Sequence, residues 1–161
     1  MKKISAETAG KLDDYDRNIL RELQRDGRMS NADLARTVNL SESACLRRLR
    51  LLEERGVVHS YAANVNPSAV GLSMNVFVTL SLSAQSQAAL TAFEEAVARI
   101  PEVMECYLMT GSADYMLRMV ARDVEDLERL HAQRLTRIPG VSRVTSSIAM
   151  RTVVKRDGLP I

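Results

Sequence analysis

Three closely spaced arginines, Arg47, Arg48 and Arg50, are the side chains of this chain best suited to bind a phosphate backbone. The stretch from residue 28 to residue 50 holds five arginines and two acidic residues, whereas the whole chain has a net charge of only +2. Clustered positive charge of this kind attracts nucleic acid. A solvated basic face on a helical pair gives the same pattern, so the arginines alone leave both interpretations open.

The residues around these arginines predict two short helices joined by a tight turn. Ser30 is a good N-cap for a helix over residues 31–37, and Asn39 tolerates the left-handed conformation that a sharp turn requires. Ser41 caps a second helix over residues 42–55. The inner stripe of that helix is apolar, at Cys45, Leu49 and Leu52. This arrangement is typical of a helix-turn-helix whose second helix enters the major groove of DNA.

The composition is that of a soluble globular protein, with 46% apolar and 26% charged residues over 161 positions. No apolar run approaches the roughly 20 residues of a membrane span, and the first ten residues, MKKISAETAG, lack the apolar core of a secretory signal. We therefore expect a cytoplasmic protein with no membrane partner. Cys45 and Cys106 lack a C-x-x-C partner, so we expect both to be small buried hydrophobes.

Elements on both sides of the helical pair complete a first domain, expected over residues 1–65. Residues 12–25 repeat apolar side chains at helical spacing and are rich in aspartate at their start, which predicts a supporting helix. Residues 57–65 alternate enough to form a short strand or wing before Asn66-Pro67 breaks the pattern. A plain connecting strand fits these residues at least as well.

From residue 74 the apolar period changes to two, which predicts a second domain over residues 74–155, after a linker at 66–73 and before a tail at 156–161. The expected strands are 74–82, 103–110, 115–121 and 141–154, and the expected helices are 86–99 and 123–137. Both helices exit through Arg-Ile-Pro-x-Val, an internal echo. The βαββαβ order predicts a ferredoxin-like sandwich, with two helices on one face of an antiparallel sheet, and an α+β chain overall.

The other face of that sheet is expected to be uncovered, so that a lone subunit would expose a large apolar patch. The side chains that could supply this patch, whichever face each strand presents, are Phe77, Tyr107, Met109, Tyr115, Leu117 and Met119. A closed two-fold assembly is the commonest way to bury such a patch. We therefore expect a homodimer that forms sheet to sheet.

From about residue 12 to residue 155 the chain resembles the Lrp/AsnC (feast/famine, leucine-responsive) family of transcriptional regulators. The resemblance lies in the segments NADLA, NLS and CLRRLRLLEERGVV, and in Glu105-Cys106-Tyr107-Leu108 followed by Gly111-Ser112-Ala113-Asp114-Tyr115. It implies a winged helix-turn-helix followed by a RAM/ACT-like domain, a homodimer that assembles further to tetramers or octamers, and no cofactor. It also implies a small effector, usually an amino acid, that binds between subunits and changes DNA binding or assembly.

Carried over by position, the reading helix of the family falls on the second helix of the pair. With the start of the first helix and Arg50 added, the residues expected to contact double-stranded DNA are Ser30, Asn31, Ser41, Glu42, Ser43, Ala44, Arg47, Arg48 and Arg50. Several members of the family have Pro-x-Pro where this chain has Glu42 and Ala44. Glu42 repels phosphate but could accept a hydrogen bond from cytosine N4, which leaves the operator sequence open.

The implied effector site falls on the hairpin from Leu108 to Tyr115 and on a facing segment at 147–149. A zwitterionic amino acid needs an acceptor for its ammonium, which Asp114 offers, and donors for its carboxylate, which the hairpin amides and hydroxyls offer. The expected effector-binding residues are Leu108, Thr110, Gly111, Ser112, Ala113, Asp114, Tyr115, Val124, Ser147, Ile148 and Ala149. The spacing of Gly111 and Asp114 equally fits a simple hairpin turn.

Two other classes of function remain as alternatives, an enzyme on the ferredoxin-like scaffold and a ligand-sensing protein whose first domain docks another protein. His59 and His131 are the only histidines, they fall in different predicted domains, and neither has a metal-ligand partner at suitable spacing. The chain has no phosphate loop and no G-x-S-x-G motif. We therefore expect a protein that is not an enzyme and has no metal site.

Overall fold

The computed structural model describes residues 11–161, which fall into two compact units. The N-terminal unit comprises residues up to Asn64 together with residues 154–161, and the C-terminal unit comprises residues 65–153. The segment MKKISAETAG, expected not to be a secretory signal, lies outside the described residues.

In the part of the N-terminal unit that the structure describes, there are three helices, as predicted: α1 at Asp14–Arg25, α2 at Asn31–Thr37 and α3 at Glu42–Glu54. Each helix begins at a side-chain cap, and the turn between α2 and α3 places Asn39 at a φ of 56°. The N-cap residues are Asp13, Ser30 and Ser41. The core between the helices is made of Ile19, Leu34, Ala35, Cys45 and Leu52. The prediction of a helix-turn-helix with a supporting helix is therefore confirmed.

The strand predicted at residues 57–65 is wrong, because these residues form no regular secondary structure. The amides of Val57 and Val58 both donate to the Leu52 carbonyl, at 2.8 and 3.2 Å, and so close the end of α3. Both valine side chains pack against the helical core. The β-branched pattern therefore reflects packing on a helix, and no strand runs beside this segment within the described residues.

The C-terminal unit has the predicted βαββαβ order. Its elements are β1 at Met74–Leu82, α4 at Gln87–Val97, β2 at Val103–Leu108, β3 at Tyr115–Ala121, α5 at Val124–Gln133 and β4 at Val141–Ile148. The strands pair antiparallel in the order β2-β3-β1-β4, which is the ferredoxin-like arrangement. Short 3₁₀ turns at Pro67–Val70 and Leu135–Arg137 precede β1 and follow α5.

Two strands are shorter than predicted. The expected strand 103–110 ends at Leu108. The expected strand 141–154 ends at Ile148, because the last ladder hydrogen bond, from the Ala149 amide to the Asn75 carbonyl, uses the end of β1. Beyond that point no strand among residues 11–161 pairs with the chain that follows β4.

The core of this unit lies between the sheet and the two helices, and it takes in side chains that were expected on the open face. Tyr115, Leu117 and Met119 are at most 1% exposed, and the Tyr115 ring packs 4.2 Å from the Phe93 ring. Burial, together with the hydrogen bond to Glu94, raises the pKa of Tyr115. Tyr115, Leu117 and Met119 therefore lie on the face of the sheet that the helices cover.

The face away from the helices is consequently less apolar than expected. It carries Phe77, Met116 and the half-exposed Tyr107, next to the ion pair between Arg118 and Glu105 at 2.8 Å.

Cys45 is buried, whereas Cys106 is exposed on β2, because β2 is the edge strand of the sheet. The expectation that Cys106 is buried is therefore wrong.

The segment after β4 returns to the N-terminal unit and packs on α1. The Gln24 side chain bonds both the amide and the carbonyl of Leu159, and the Ile161 side chain joins the helical core. Gly158 lies so close to Gln24 that a Cβ at this position would come within 3.2 Å of the Gln24 Oε1 atom. Residues 154–161 therefore form part of the N-terminal unit.

Asp126, at the start of α5, is a buried carboxylate on which the C-terminal unit depends. It accepts hydrogen bonds from the Arg122 amide at 3.1 Å, from the Arg122 guanidinium at 3.0 Å and from Arg129 at 2.7 Å. The Arg122 guanidinium, followed by Arg129, holds the pKa of Asp126 well below its usual range. A carboxylate with a lowered pKa stabilises the fold above about pH 4, its unfolded value, and loses that contribution as the pH falls.

We expect Asp126→Asn to lower the free energy of unfolding by roughly 2 kcal/mol at pH 7, the size typical of hydrogen bonds to a charged group. The loss should shrink as the pH falls from 4 toward 2, because the carboxylate of the unfolded chain then becomes protonated, whereas that of the native state stays ionised to lower pH. Urea unfolding followed by circular dichroism at several pH values measures both effects. Glu125→Gln, which removes an exposed carboxylate of the same helical turn, is the control. An equal loss at pH 7 and pH 2 would contradict the role of this charge.

Candidate functional site

The outer face of α3 presents a continuous stripe of side chains to solvent. Ser43, Arg47 and Arg50 are exposed there, on the side opposite the core residues Cys45 and Leu52. Around them lies a shallow depression of about 290 Å³, lined by Ser43, Leu46, Arg47, Arg50, Leu51 and Glu54. Leu46 and Leu51 were not among the predicted residues, although Leu46 follows Ser43 by three positions and Leu51 follows Arg47 by four, a spacing that places them on this face.

Three of the residues expected to contact DNA act as structural supports. The Ser30 hydroxyl accepts from the Asp33 amide at 3.1 Å, and the Ser41 hydroxyl accepts from the Ala44 amide at 3.3 Å. The Asn31 side chain donates to the Glu42 carbonyl at 3.0 Å and so joins the starts of α2 and α3. These contacts fix the angle at which α3 leaves the turn.

Arg48 turns away from the outer face and joins α3 to α1. Its Nη1 atom donates to Asp13 and to Asp16, both at 2.8 Å, and its guanidinium lies 5.3 Å from the centre of the Tyr15 ring. The hydrogen bonds with Asp16 and Asp13 raise the pKa of Arg48. Arg48 is therefore a clamp between helices, and this placement does not support its assignment to DNA.

Two further candidates lie at the first turn of α3. Glu42 is exposed at the start of the helix and Ala44 is half-exposed beside it. Of the nine predicted residues, five thus face outward or partly outward around the start and middle of α3: Glu42, Ser43, Ala44, Arg47 and Arg50. A groove of DNA placed here would meet two arginines and an acid.

Backbone and carboxylate contacts fix the conformation of the hairpin between β2 and β3. The Met109 amide donates to the Asp114 carbonyl at 2.8 Å, and Gly111 has a φ of 120°, a value that side chains disfavour. Thr110, Gly111 and Ser112 are exposed, and Ala113 is half-buried. The amides and hydroxyls at the tip are thus accessible to a ligand, whereas the buried Tyr115 side chain is not.

Asp114 fastens this hairpin to the end of β1. Its Oδ2 atom accepts from the Leu82 amide and its Oδ1 atom accepts from Gln85, both at 2.7 Å. Each carboxylate oxygen therefore already has one donor from the same chain and retains one free lone-pair position. Sequence reasoning missed Gln85, since nothing in its local pattern signals a partner 29 residues away.

The residues expected to bind an effector lie at opposite ends of the sheet. The hairpin is next to Leu80, whose carbonyl accepts from the Asp114 amide, whereas Ile148 pairs with Val76 and Ser147 with Phe77. Leu82 and Val76 are six residues apart along β1, which is roughly 20 Å. Within one chain, the candidate effector residues therefore form two separate groups, which we call the hairpin half and the distal half. The hairpin half is Leu108 with 110–115, and the distal half is Val124 with 147–149.

Apart from the Tyr115 side chain, neither half is buried within its own chain. Leu108, Val124 and Ile148 are each about half-exposed or more, at 61%, 66% and 49%. All three apolar side chains are therefore accessible from solvent in a single chain. Within residues 11–161 no group of three or more His, Cys, Asp and Glu side chains could hold a metal ion, and no helix there is long and apolar enough to cross a membrane.

The two units match two known domain families. Residues 12–59 match the winged helix-turn-helix DNA-binding family, and residues 75–159 match the Lrp/AsnC ligand binding domain. The chain is 42% identical to the Bkd operon transcriptional regulator of Pseudomonas aeruginosa, over 93% of this chain and 98% of that protein. It is 38% identical to the leucine-responsive regulatory protein of Escherichia coli, over 93% of this chain and 92% of that protein.

Solved structures give the same result. A transcriptional regulator of Neisseria meningitidis, solved as its L-Met complex, superposes with a TM-score of 0.88 at 35% identity, over 93% of this chain and 97% of that one. An AsnC family regulator of Agrobacterium tumefaciens also gives a TM-score of 0.88, at 36% identity, over 92% of this chain and 97% of that one. These relatives are regulators of transcription, which confirms the expectation that the chain is not an enzyme. The protein belongs to the Lrp/AsnC family of transcriptional regulators.

Proposed function

We propose that this regulator controls genes of amino-acid metabolism, and that an amino acid bound between subunits changes its affinity for DNA or its assembly on DNA. The observation that carries the proposal is the division of the candidate effector residues between two ends of one sheet. A ligand that needs both halves requires a second chain. The Met complex of the Neisseria relative supports an amino acid as the ligand.

The DNA contact is assigned to the outer face of α3, where Arg47 and Arg50 are exposed about one and two helical turns after Ser43. Side chains on the first turns of such a helix meet base edges, and arginines bind guanine or phosphate. The capping contacts of Ser30, Asn31 and Ser41 hold the helix in place for this purpose.

The uncovered sheet face is assigned to a two-fold homodimer. Phe77, Met116 and Tyr107 provide its apolar part, and the Arg118–Glu105 pair provides charges of both signs that a two-fold copy can match. Such a dimer presents two copies of α3, so its operator is a near-palindrome with half-sites spaced by the helical repeat. Further assembly to tetramers or octamers follows the resemblance to the family.

The amino acid is held, in this proposal, mainly by the hairpin half. The free positions on the Asp114 carboxylate accept from the ligand ammonium, and the amides of Gly111 to Ala113 with the Thr110 and Ser112 hydroxyls donate to its carboxylate. The distal half of a second chain supplies the apolar wall, through Val124, Ile148 and Ala149. The exposure of these side chains in a single chain supports that role.

A thermal-shift screen of the twenty L-amino acids tests the proposal. A ligand present at about 100 times its Kd adds roughly 2.7 kcal/mol to the native state, so the midpoint should rise by several degrees for at least one of them. The D-enantiomer of the same amino acid is the control and should give little shift, because the ammonium and carboxylate sites have fixed positions. The absence of any shift would contradict an amino-acid effector.

A further inference from the structure

The depression on the outer face of α3 has an apolar part that the arginines do not explain. Leu46 and Leu51 lie on either side of the stripe formed by Ser43, Arg47 and Arg50, and all five line the same 290 Å³ depression. Leu51 is 42% exposed and Leu46 is half-buried. Apolar side chains kept in this position are available to an apolar group of the bound partner.

Leu46 lies in the part of α3 that meets base edges when a helix of this kind reads DNA. It lies one helical turn after Ser43, in the N-terminal half of α3, and the bases meet that half of a reading helix. Leu51 is five residues further along the helix, about 7.5 Å toward its C-terminal end. The apolar core of the unit is filled from the opposite side of α3 by Cys45, Leu49 and Leu52.

The chemistry of the major groove then selects the contact. Among the four bases, only thymine presents an apolar group at the major-groove edge, namely its C5-methyl group. The flanking Arg47 and Arg50 attract the surrounding phosphates and hold the helix close to the bases. We propose that Leu46 packs against a thymine methyl group in each half-site and thereby fixes thymine at one position of the operator. This inference rests on the proposed reading of DNA by α3.

The test removes the thymine methyl group and the Leu46 side chain, singly and together, and compares the resulting changes in affinity. A duplex is first selected from a random-sequence library by the wild-type protein, and each symmetric pair of its thymines is then replaced by deoxyuridine, which differs only by the methyl group. At one symmetric pair the wild type should lose affinity, roughly fourfold for each half-site, which corresponds to about 0.8 kcal/mol for the burial of one carbon. Leu46→Ala should bind the thymine and deoxyuridine duplexes equally.

Leu51→Ala is the matched control and should keep the full thymine effect, because Leu51 lies toward the other end of the helix. Since each protein is compared with itself on two duplexes, a partly unfolded variant does not alter the ratio. A thymine effect that persists in Leu46→Ala, one that disappears in Leu51→Ala instead, or a selected duplex without any methyl-sensitive thymine would each overturn the assignment of Leu46. If the wild type selects no sequence at all, the proposed reading of DNA fails together with it.

Discussion

Replacing Arg47 with alanine is expected to weaken DNA binding about tenfold and leave folded stability unchanged, whereas replacing its neighbour Arg48 is expected to reduce stability. Arg47 is exposed on the outer face of α3 and lies in the depression that faces DNA in our proposal. Loss of one phosphate contact should also reduce the slope of log K against log salt by roughly one. Fluorescence anisotropy with a labelled duplex, over a range of salt concentrations, measures both quantities.

Arg48→Ala should instead lower the unfolding midpoint of the N-terminal unit by roughly 5–10 °C. Its removal leaves Asp16, which is 8% exposed, without the guanidinium that offsets its burial. The salt slope of DNA binding should stay at the wild-type value wherever the variant is still folded. A shallower salt slope in Arg48→Ala with an unchanged midpoint would show that the clamp is not its role.

This pair of arginines illustrates where sequence reasoning stops. The capping residues and the apolar stripe predicted α2 within its observed bounds and α3 within one residue at its C-terminal end. The two arginines, however, differ only in which flank of the helix they occupy, and a long flanking side chain can reach solvent or a neighbouring helix. The choice depends on where Asp13 and Asp16 of α1 lie, and that is a tertiary fact.

In the sheet, too, some features follow from the local sequence pattern and others depend on the tertiary structure. Strict alternation in β1 predicted its bounds and its buried face, because Val76, Val78 and Leu80 occupy every second position and all three are buried. In β3 the sequence YMLRMVA has apolar residues on both faces, so alternation could not show that Tyr115 and Leu117 are in the core. The end of β4 depends on the length of β1, since a strand continues only as far as its neighbour.

The sequence could predict which segments form the effector site, but not where those segments lie relative to one another. The motif at Gly111 to Asp114 identified the hairpin, and the resemblance to the family added residues 147–149. Only the register of β4 against β1 shows that these segments lie about 20 Å apart in one chain. That separation changes the prediction, because it makes the number of chains per site a measurable property.

Two single variants should each abolish effector binding and restore it when they are combined in one dimer. Ser112→Glu places a carboxylate in the hairpin half, where the ligand carboxylate is expected, and Val124→Glu places one in the distal half. Both positions are exposed, so neither change should disturb the core. Each homodimer then has a defect in both of its sites, and titration calorimetry with the amino acid that gives the largest thermal shift should detect no binding.

In a heterodimer of the two variants, purified through two different affinity tags, the unaltered hairpin of one chain meets the unaltered distal half of the other. One site of the two is then intact, and the stoichiometry should return to about half the wild-type value. The matched control is a heterodimer of wild type with the Ser112→Glu, Val124→Glu double variant, which should bind nothing because every shared site contains one altered half. If each site were built within one chain, the two heterodimers would give the opposite results, since only the one with a wild-type chain would retain an intact site.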